Sequence, residues 1–383
     1  IITRIGIDQS PEGIELSTVI FVPTPNTSYT ENYKLFTATA PNLAEALQKI
    51  SNYAGKKIAL NLTELIVVNE EISKNNLVLV LDALTRSADI GNNTSLICTN
   101  ESAKDFLNAT LNLNSASDLN IEELITYSKE KIYNTDSNIE TFYQGYFSPT
   151  KISVLGYVEL SEGEQGLSTS GGSSASGSSA SGGSAGEQGG TQSGSEEQQK
   201  KTTILNEGRT AVYKNGIIQK VLTTEELKGV NWLNQGLNET YLTVEGVNDD
   251  FYDDATITFK LKNKTLNSQF YFVNNVPVFE SVLKLVMDVD QVSQPSQNEN
   301  SLQPELSYVS SKLKQKINEQ IKKEFKVAQD FMVAKKLHLV QVYNSFLTYC
   351  PAKFKSFLNS LDDPNNYLEK ILFKIKVEPY ISI

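Results

Sequence analysis

The imidazole and thiol groups of this chain, which suit nucleophilic catalysis or zinc binding, come from three residues: the single histidine, His338, and the two cysteines, Cys98 and Cys350. A catalytic histidine needs a nucleophile and an orienting acid, and no motif such as Gly-x-Ser-x-Gly supplies them here. One histidine and two isolated cysteines also cannot provide the spaced nitrogen and sulfur ligands of a zinc site. We interpret His338 as a packing or surface residue on or near an amphipathic helix. The cysteines are interpreted as separate buried thiols rather than as a disulfide.

The densest run of carboxylates is DDFYDD, at residues 249–254. Carboxylate oxygens suit a hard cation, but the run lacks the spacing of a calcium-binding loop, which favours a solvated turn between domains. A glycoside hydrolase needs two carboxylates whose pairing is spatial, so with 45 acidic residues the sequence leaves that class open. Walker and dinucleotide-binding motifs are absent. The sequence therefore predicts no catalytic, cofactor-binding or metal-binding residues and no cofactor.

Charge is distributed unevenly along the chain. The net charge of −11 and the pI near 4.9 argue against general nucleic-acid binding, because that activity needs a basic face. Residues 304–383 differ, since 13 lysines there outnumber 8 acidic residues. This part could contact anionic lipid or an acidic partner. A solvated, lysine-rich helix face is the competing interpretation.

A Ser/Gly-rich tract at 163–194 separates two parts of the chain that are rich in apolar residues. The tract cannot bury enough apolar surface to offset the entropy of ordering, so it predicts flexible coil. A coil of about 40 residues spans only ~35 Å on average, so the folded parts on either side can be neighbours. The prediction is an N-terminal α+β domain, 1–150, a small middle α+β domain, 151–248, with a disordered insertion at about 163–200, and a C-terminal sheet-plus-helices domain, 249–383.

Strand and helix patterns alternate in the N-terminal domain. Residues 5–38 resemble a hairpin, and buried strands are predicted at 65–68 and 95–99. Asn69 and Asn100 follow these strands as candidate N-caps of helices, the first of which would run to about residue 88. The pattern predicts a mixed α+β domain. A doubly wound sheet is the alternative, although no Gly-rich phosphate loop joins a strand to a helix. Two further helices are predicted near 118–132 and 137–147.

The middle domain has the strongest short-range signal in the chain. Asn215-Gly216 stands between two apolar runs, which is typical of a β-hairpin. Thr223 or Thr224 then caps a short helix. Trp232, the only tryptophan, lies in that helix and is predicted to be a core residue, with an exposed contact residue as the alternative.

The C-terminal domain reads as strands, then helices, then a strand. Three strands are predicted at 255–262, 269–273 and 278–289 from alternating apolar and polar side chains. Apolar residues at helical spacing predict one long amphipathic helix from 306 to 332. The last strand is predicted at 371–377. The domain is therefore expected to be an antiparallel-rich sheet covered on one face by a long helix and shorter helices.

The sequence predicts no transmembrane helix within these residues. No apolar run approaches the ~18–20 residues that a helix needs to cross a bilayer. The sequence opens at Ile1, without a methionine and inside a strand-like pattern. We expect a truncated or processed product whose export signal and lipid-bearing cysteine would lie upstream.

Three stretches, in this order, resemble the C subunit of GerA-type spore germinant receptors, the Ger(x)C family. The first is RIGIDQSPEGIELSTVIFVP, at 4–23. The second is the run of residues 38–72, from ATAPNLAEALQKIS to LNLTELIVVNEEI, with the helix and strand that follow it. The third is GRTAVYKNGIIQKVLTTEELKGVNWL, at 208–233. The resemblance covers the chain except the Ser/Gly tract, which is not typical of the family.

The resemblance implies three α+β domains without known catalytic activity. It also implies a lipoprotein on the outer, extracytoplasmic face of the inner spore membrane, held by an N-terminal lipid and partnered by the integral-membrane A and B subunits. Such a protein triggers germination in response to small nutrients, and the acidic composition independently predicts no nucleic-acid partner. The alternatives are an extracytoplasmic solute-binding or adhesive surface protein, and a cell-wall hydrolase that uses paired acids.

Overall fold

The computed structural model describes residues 1–22, 33–55, 57–87, 90–116, 137–163, 202–234, 240–248, 252–293 and 309–382. The predicted helix near 118–132 and the Ser/Gly tract beyond Gly163 lie outside these residues. Within them the chain forms two sheets with helices packed against both, so the predicted mixture of α and β structure is confirmed.

The first sheet has eight strands in the order β3-β2-β1-β4-β5-β6-β7-β8. Neighbours β1, β4, β5 and β6 are parallel in the centre, and hairpins extend the sheet antiparallel on both sides. The strands are β1 (Ile2–Ser10), β2 (Gly13–Phe21), β3 (Tyr33–Ala40), β4 (Leu65–Asn69), β5 (Ser95–Thr99), β6 (Ile152–Gly163), β7 (Thr202–Lys214) and β8 (Ile217–Val221).

Helices cover both faces of this sheet. They are α1 (Leu43–Ala54), α2 (Glu70–Ser73), α3 (Leu77–Ser87), α4 (Ala103–Ala116) and α5 (Ile139–Phe147). Helices α1, α3 and α5 share one apolar core on one face, whereas α4 packs into a separate core on the other. Strands β4 and β5 are almost fully buried because they are covered twice, which explains their short, continuous apolar runs.

Two predictions about helix starts have different outcomes. Asn69 does cap a helix, since its side-chain oxygen accepts the backbone N–H of Glu71 at 2.7 Å. That helix is not continuous to residue 88, because Asn76 adopts a positive φ of 69° and divides it into α2 and α3. The prediction that Asn100 caps the next helix is wrong: α4 begins at Ala103, and its first N–H groups point at a carboxylate from β1.

The middle of the chain contributes to both sheets. Strands β6, β7 and β8 continue the first sheet, and the predicted hairpin at Asn215-Gly216 joins β7 to β8. Helix α6 (Thr224–Trp232) follows, and strand β9 (Thr240–Val247) belongs to the second sheet. A sheet that runs through a predicted boundary does not decide where independently folding units begin, so the division at 150 and 248 stays a prediction.

The second sheet has the order β12-β11-β10-β9, from β10 (Ala255–Val273), β11 (Val276–Ser293), β12 (Leu372–Ser382) and β9. Strand β12 is parallel to β11, and the other pairs are antiparallel. The prediction of separate strands at 255–262 and 269–273 is wrong. Residues 263–268 are polar enough to resemble a loop, yet each pairs with β11, so β10 is one long strand.

Helices pack on one face of the second sheet. They are α7 (Ser311–Lys335), α8 (Val342–Tyr349), α9 (Pro351–Asn359) and α10 (Tyr367–Lys370). Helix α7 begins where the Ser310 hydroxyl accepts the N–H of Leu313 at 2.9 Å, five residues after the predicted start at 306. Its buried stripe matches the predicted spacing: Leu313, Ile317, Ile321, Phe325, Ala328 and Met332.

A third apolar core joins the two sheets. It includes Ile152 and Val212 from the first sheet, Leu227 from α6, and Phe325 from α7. Helices α6 and α7 come very close at Gly229, where an added Cβ would lie 2.3 Å from the carbonyl oxygen of Glu324. The short middle helix therefore works as a packed joint between the two parts of the molecule.

Candidate functional site

The carboxyl ends of the parallel strands in the first sheet carry a buried polar cluster. Tyr213 donates a hydrogen bond from its hydroxyl to Ser73 Oγ at 3.0 Å, and that oxygen lies 3.9 Å from Cys98 Sγ. Burial raises the pKa of the Cys98 thiol to about 12. A thiol that stays protonated at neutral pH is a poor nucleophile, so this cluster supports packing rather than covalent chemistry.

Asp8, at the end of β1, is the buried carboxylate of this region. It accepts backbone N–H groups from Ala103 at 2.7 Å and Lys104 at 3.0 Å, at the start of α4. Burial raises the pKa of Asp8, and these two hydrogen bonds partly oppose that rise. Its negative charge faces the positive end of the helix dipole. Asp8 therefore fixes α4 on the sheet, and its lone pairs are already used.

His338 is not part of a catalytic arrangement. It lies between α7 and α8 rather than on a helix, and its ring stacks on Tyr367 with centroids 4.8 Å apart. Burial first, and then the nearby Lys214 ammonium, lowers the pKa of His338 to about 4. The imidazole is therefore neutral at physiological pH, which supports the predicted packing role.

The other residues singled out from the sequence also have structural surroundings. Trp232 is 1% exposed, and its indole N–H donates to Glu324 Oε2 at 2.6 Å, so the core prediction is confirmed. Both cysteines are free thiols, as predicted. Cys350 is only partly buried, and its thiol donates to the carbonyl oxygen of Phe270 at 3.4 Å.

Lys264 has a perturbed amine that the sequence did not reveal. Burial lowers the pKa of Lys264 to about 8, a value at which lysines can act as nucleophiles. Its ammonium, however, donates to the carbonyl oxygens of Asn231, at 2.6 Å, and of Asn234. It therefore holds the last turn of α6, where a positive charge also complements the helix dipole.

The acidic run at 249–254 is only partly described, because residues 249–251 lie outside the described part. Asp254 has a positive φ of 48°, and its N–H donates to Asn248 Oδ1 at 2.8 Å, as expected of a turn. Within the described ranges, no group of three or more His, Cys, Asp or Glu side chains has the geometry of a metal site.

A surface cleft of about 490 Å³ lies between α7 and β12, and we call it the lysine cleft. Phe325 and Phe373 line its apolar part, with ring centroids 5.5 Å apart. Four ammonium groups surround these rings, those of Lys322, Lys326, Lys374 and Lys376. One carboxylate, Glu280, also lines the cleft and accepts the Tyr271 hydroxyl at 2.7 Å.

The lysine cleft was not identified from the sequence, although a basic C-terminal surface was. Lys322 and Lys326 are four residues apart on α7, and Lys374 and Lys376 are two apart on β12. Each spacing places its pair on one face of its element, which is a usable local signal. The two pairs come together only through the tertiary packing of α7 beside β12. Their spacing in the sequence therefore could not reveal the cleft.

A second cleft of about 580 Å³ lies between α6, β9 and α7. Its lining mixes both signs of charge, with Lys228, Lys316 and Lys323 near Glu245 and Glu319. It is also more polar than the lysine cleft, since Tyr241 and Val244 are its main apolar contacts. The cleft suits a ligand with both charges better than a simple anion.

Two family models match this chain, one on each side of the Ser/Gly tract. The model described as "Spore germination protein N-terminal domain" matches residues 1–160. The model described as "Spore germination B3/ GerAC like, C-terminal" matches residues 208–339. The chain belongs to the GerAC family of spore germination proteins. This GerAC-family protein is therefore a C subunit of a germinant receptor involved in spore germination, a receptor component and not a known enzyme.

Structural comparison agrees with the GerAC-family fold. The crystal structure of the GerBC protein matches with a TM-score of 0.56 and 12% sequence identity, over 99% of this chain and 97% of that one. At that identity the likeness shows the fold alone. A search of the curated proteins finds no match. In the described ranges, no helix combines the length and the apolar character needed to cross a membrane.

Proposed function

We propose that this GerAC-family chain is a non-enzymatic lipoprotein subunit, held by an N-terminal lipid on the outer face of the inner spore membrane. In this proposal it assembles with the two integral-membrane subunits of the receptor, A and B, and the complex triggers germination when nutrients are present. The observation that carries the proposal is the pair of family matches, which together include strands of both sheets.

The chemistry of the described residues supports a role in binding rather than turnover. Three side chains with shifted pKa values have structural tasks: the Cys98 thiol, the Asp8 carboxylate and the Lys264 ammonium. Perturbed groups of a catalytic site would instead converge on open space. The two clefts described above are lined mainly by lysines and glutamates, with Phe325, Phe373 and Tyr241 as their aromatic residues.

Co-purification tests the proposed partners. The chain, tagged and expressed at its natural level in a spore former, should retrieve both integral-membrane subunits from detergent-solubilised spore membranes. A matched sample that carries the tag on an unrelated spore lipoprotein sets the background. Recovery of neither subunit above that background would contradict the proposed assembly.

Metabolic labelling tests the proposed anchor. Spores formed in the presence of an alkyne fatty acid should yield a labelled chain in the inner-membrane fraction. Replacement of the candidate lipid-bearing cysteine in the precursor should remove the label and move the chain to the soluble fraction. An unlabelled chain that remains in the membrane fraction would contradict lipid anchoring.

The division into three modules at 150 and 248 is also a proposal. Limited proteolysis should cut first within the Ser/Gly tract, and the cut halves should stay together because β6 and β7 pair along their lengths. Fragments that separate after this cut would show that the middle strands belong to different units.

A solute-binding or adhesive role is the second candidate. The mixed-charge cleft of about 580 Å³ favours it, since small ligands often bind where modules meet and this cleft lies where α6, β9 and α7 meet. Calorimetric titration with a panel of amino acids and sugars should show saturable binding, and Lys316→Ala with Glu245→Ala should remove it. No heat above dilution with any compound would remove this candidate.

A further inference from the structure

Three exposed aliphatic side chains meet where β10 turns into β11. Val273 and Val276 pair directly across the turn and are 47% and 43% exposed. Leu372, which begins β12, pairs with Val278 and is 48% exposed. Removal of apolar side chains from water is favourable. A cluster of exposed aliphatic side chains therefore indicates a surface that contacts another molecule.

Tyr349 is exposed at the same end of the sheet but on its other, helix-bearing face. Its ring stacks on Phe270 with centroids 5.8 Å apart and planes 7° apart, yet the residue remains 70% exposed. Phe270 lies three residues before Val273 on β10, and because side chains alternate along a strand, the two point to opposite faces of the sheet. We call the set of Val273, Val276 and Leu372 the apolar tip.

The apolar tip is continuous with the lysine cleft. Lys374 follows Leu372 by two residues, so both side chains leave the same side of β12 about 7 Å apart. The Lys374 ammonium lies 6.0 Å from the ring centroid of Tyr271, which is two residues from Val273. The apolar side chains and the ammonium groups therefore belong to one surface.

The four lysines of the cleft are not equally available to a ligand. Lys326 pairs with Asp330, and Lys376 pairs with Glu378, each at 2.7 Å. Lys322 and Lys374 form no ion pair with a carboxylate of the described residues. An external anion could meet these two ammonium groups without displacing an ion-paired carboxylate, and the Glu280 carboxylate, opposite Lys374 in the β11–β12 pairing, is the acidic group beside them.

The chemistry of the surface distinguishes between possible occupants. A small soluble anion would use the ammonium groups and leave the apolar tip in water. An acidic peptide strand would have to pair along β12, where Pro379 lacks an N–H and lysines oppose edge pairing. The boundary of a bilayer offers phosphates beside acyl chains, and lysine suits that boundary because its apolar stem can lie along acyl chains while its ammonium reaches the headgroups.

We propose that the apolar tip and the lysine cleft together dock this chain on a bilayer that contains anionic lipid. The headgroup phosphates meet Lys322 and Lys374, and the aliphatic side chains enter the boundary between headgroups and acyl chains. The inference rests on the proposed position beside the spore membrane, and it adds a contact made by the protein itself to the proposed lipid tether.

Flotation with vesicles tests this docking surface. The chain of residues 1–383, without a lipid, is mixed with vesicles of phosphatidylcholine alone or with phosphatidylglycerol added. We expect binding only to the vesicles with phosphatidylglycerol, weakened by added salt. Lys322→Gln with Lys374→Gln should lower the affinity by about 25-fold, since each lysine near an anionic surface contributes about 5-fold. Val273→Ser with Val276→Ser should lower it as well.

A matched variant distinguishes binding through this surface from an effect of the net charge of the chain. Lys312→Gln with Lys314→Gln removes the same two charges from exposed positions on α7 that do not line the cleft. It should keep the affinity within about threefold of the unchanged chain, because a charge counts only within a Debye length of the lipid. Equal losses in the two double-lysine variants would overturn the proposal.

Two further outcomes also decide the matter. If inorganic phosphate at millimolar concentration protects the chain against heat while no vesicle binds it, the cleft is a site for a soluble anion and the docking proposal fails. If the chain binds no vesicle but restores germination to spores that lack it, the docking proposal fails and the proposed receptor function stands. Circular dichroism on each variant confirms that it is folded.

Discussion

The two sheets of this protein use their polar residues differently. Near the carboxyl ends of the parallel strands in the first sheet, three polar side chains are buried, those of Asp8, Ser73 and Tyr213. Each of them forms hydrogen bonds inside the fold. Beside the second sheet, the lysines of α7 and β12 remain on the surface and line clefts. The polar groups of the first sheet therefore hold its elements together, whereas those beside the second sheet remain available for contact with other molecules.

The largest expected effect comes from breaking the joint between these regions. Trp232→Ala should lower the free energy of unfolding by about 3–5 kcal/mol, because it empties a fully buried site and leaves Glu324 without its indole donor. Guanidinium unfolding followed by circular dichroism measures this change. Trp232→Phe, as a control, should cost much less because it keeps most of the buried surface. If the alanine variant loses less than about 1 kcal/mol, Trp232 does not stabilise the packing of α6 against α7.

Two glycine substitutions compare close packing in the two regions. Gly229→Ala places a Cβ 2.3 Å from a backbone carbonyl oxygen of α7, whereas Gly6→Ala places one 2.9 Å from the movable Leu107 Cδ1 atom and no nearer than 3.1 Å to a backbone atom, the carbonyl oxygen of Ala103. We expect losses of about 3 and about 1 kcal/mol, respectively, in the same unfolding measurement. The reverse order would show that the first sheet, not the α6–α7 joint, is the less adaptable contact.

The effect of pH on stability sharpens the comparison at His338. The pKa of His338 is lowered to about 4 in the folded protein, against 6.5 ordinarily, so its stabilising effect is complete above pH 6.5 and is lost as pH falls through 4. The unchanged chain should lose about 2–3 kcal/mol relative to His338→Gln between these pH values. Parallel curves for the two proteins would show that His338 is not held neutral by burial.

Local patterns in the sequence predicted the elements better than their contacts. The Asn215-Gly216 hairpin, the Asn69 cap and the apolar stripe of α7 depend on residues close in sequence, and all three were predictable. The capping of α4 by Asp8 joins residues 95 positions apart, and no local pattern encodes such a pairing. The lysine cleft was missed for the same reason, since its two halves lie about 50 residues apart in the sequence.

The smallest expected effect concerns the start of α6, where the sequence left two candidate caps. The Thr223 hydroxyl accepts the N–H of Glu226 at 3.3 Å, and the Glu226 carboxylate accepts the N–H of Thr223 at 3.0 Å. Thr223→Ala should therefore cost about 1 kcal/mol, and Thr224→Ala close to none. Thermal unfolding of the two variants measures the difference. Equal losses of stability in the two variants would show that the reciprocal hydrogen bonds of Thr223 and Glu226 do not stabilise the start of α6.

Germination of spores tests most directly whether this chain works as a receptor subunit. Spores of the source organism that lack the chain are mixed with nutrients, and the loss of optical density is followed over time. The account predicts that these spores fail to respond to the nutrients of this receptor and that the intact chain restores the response. A normal response without the chain would contradict the account.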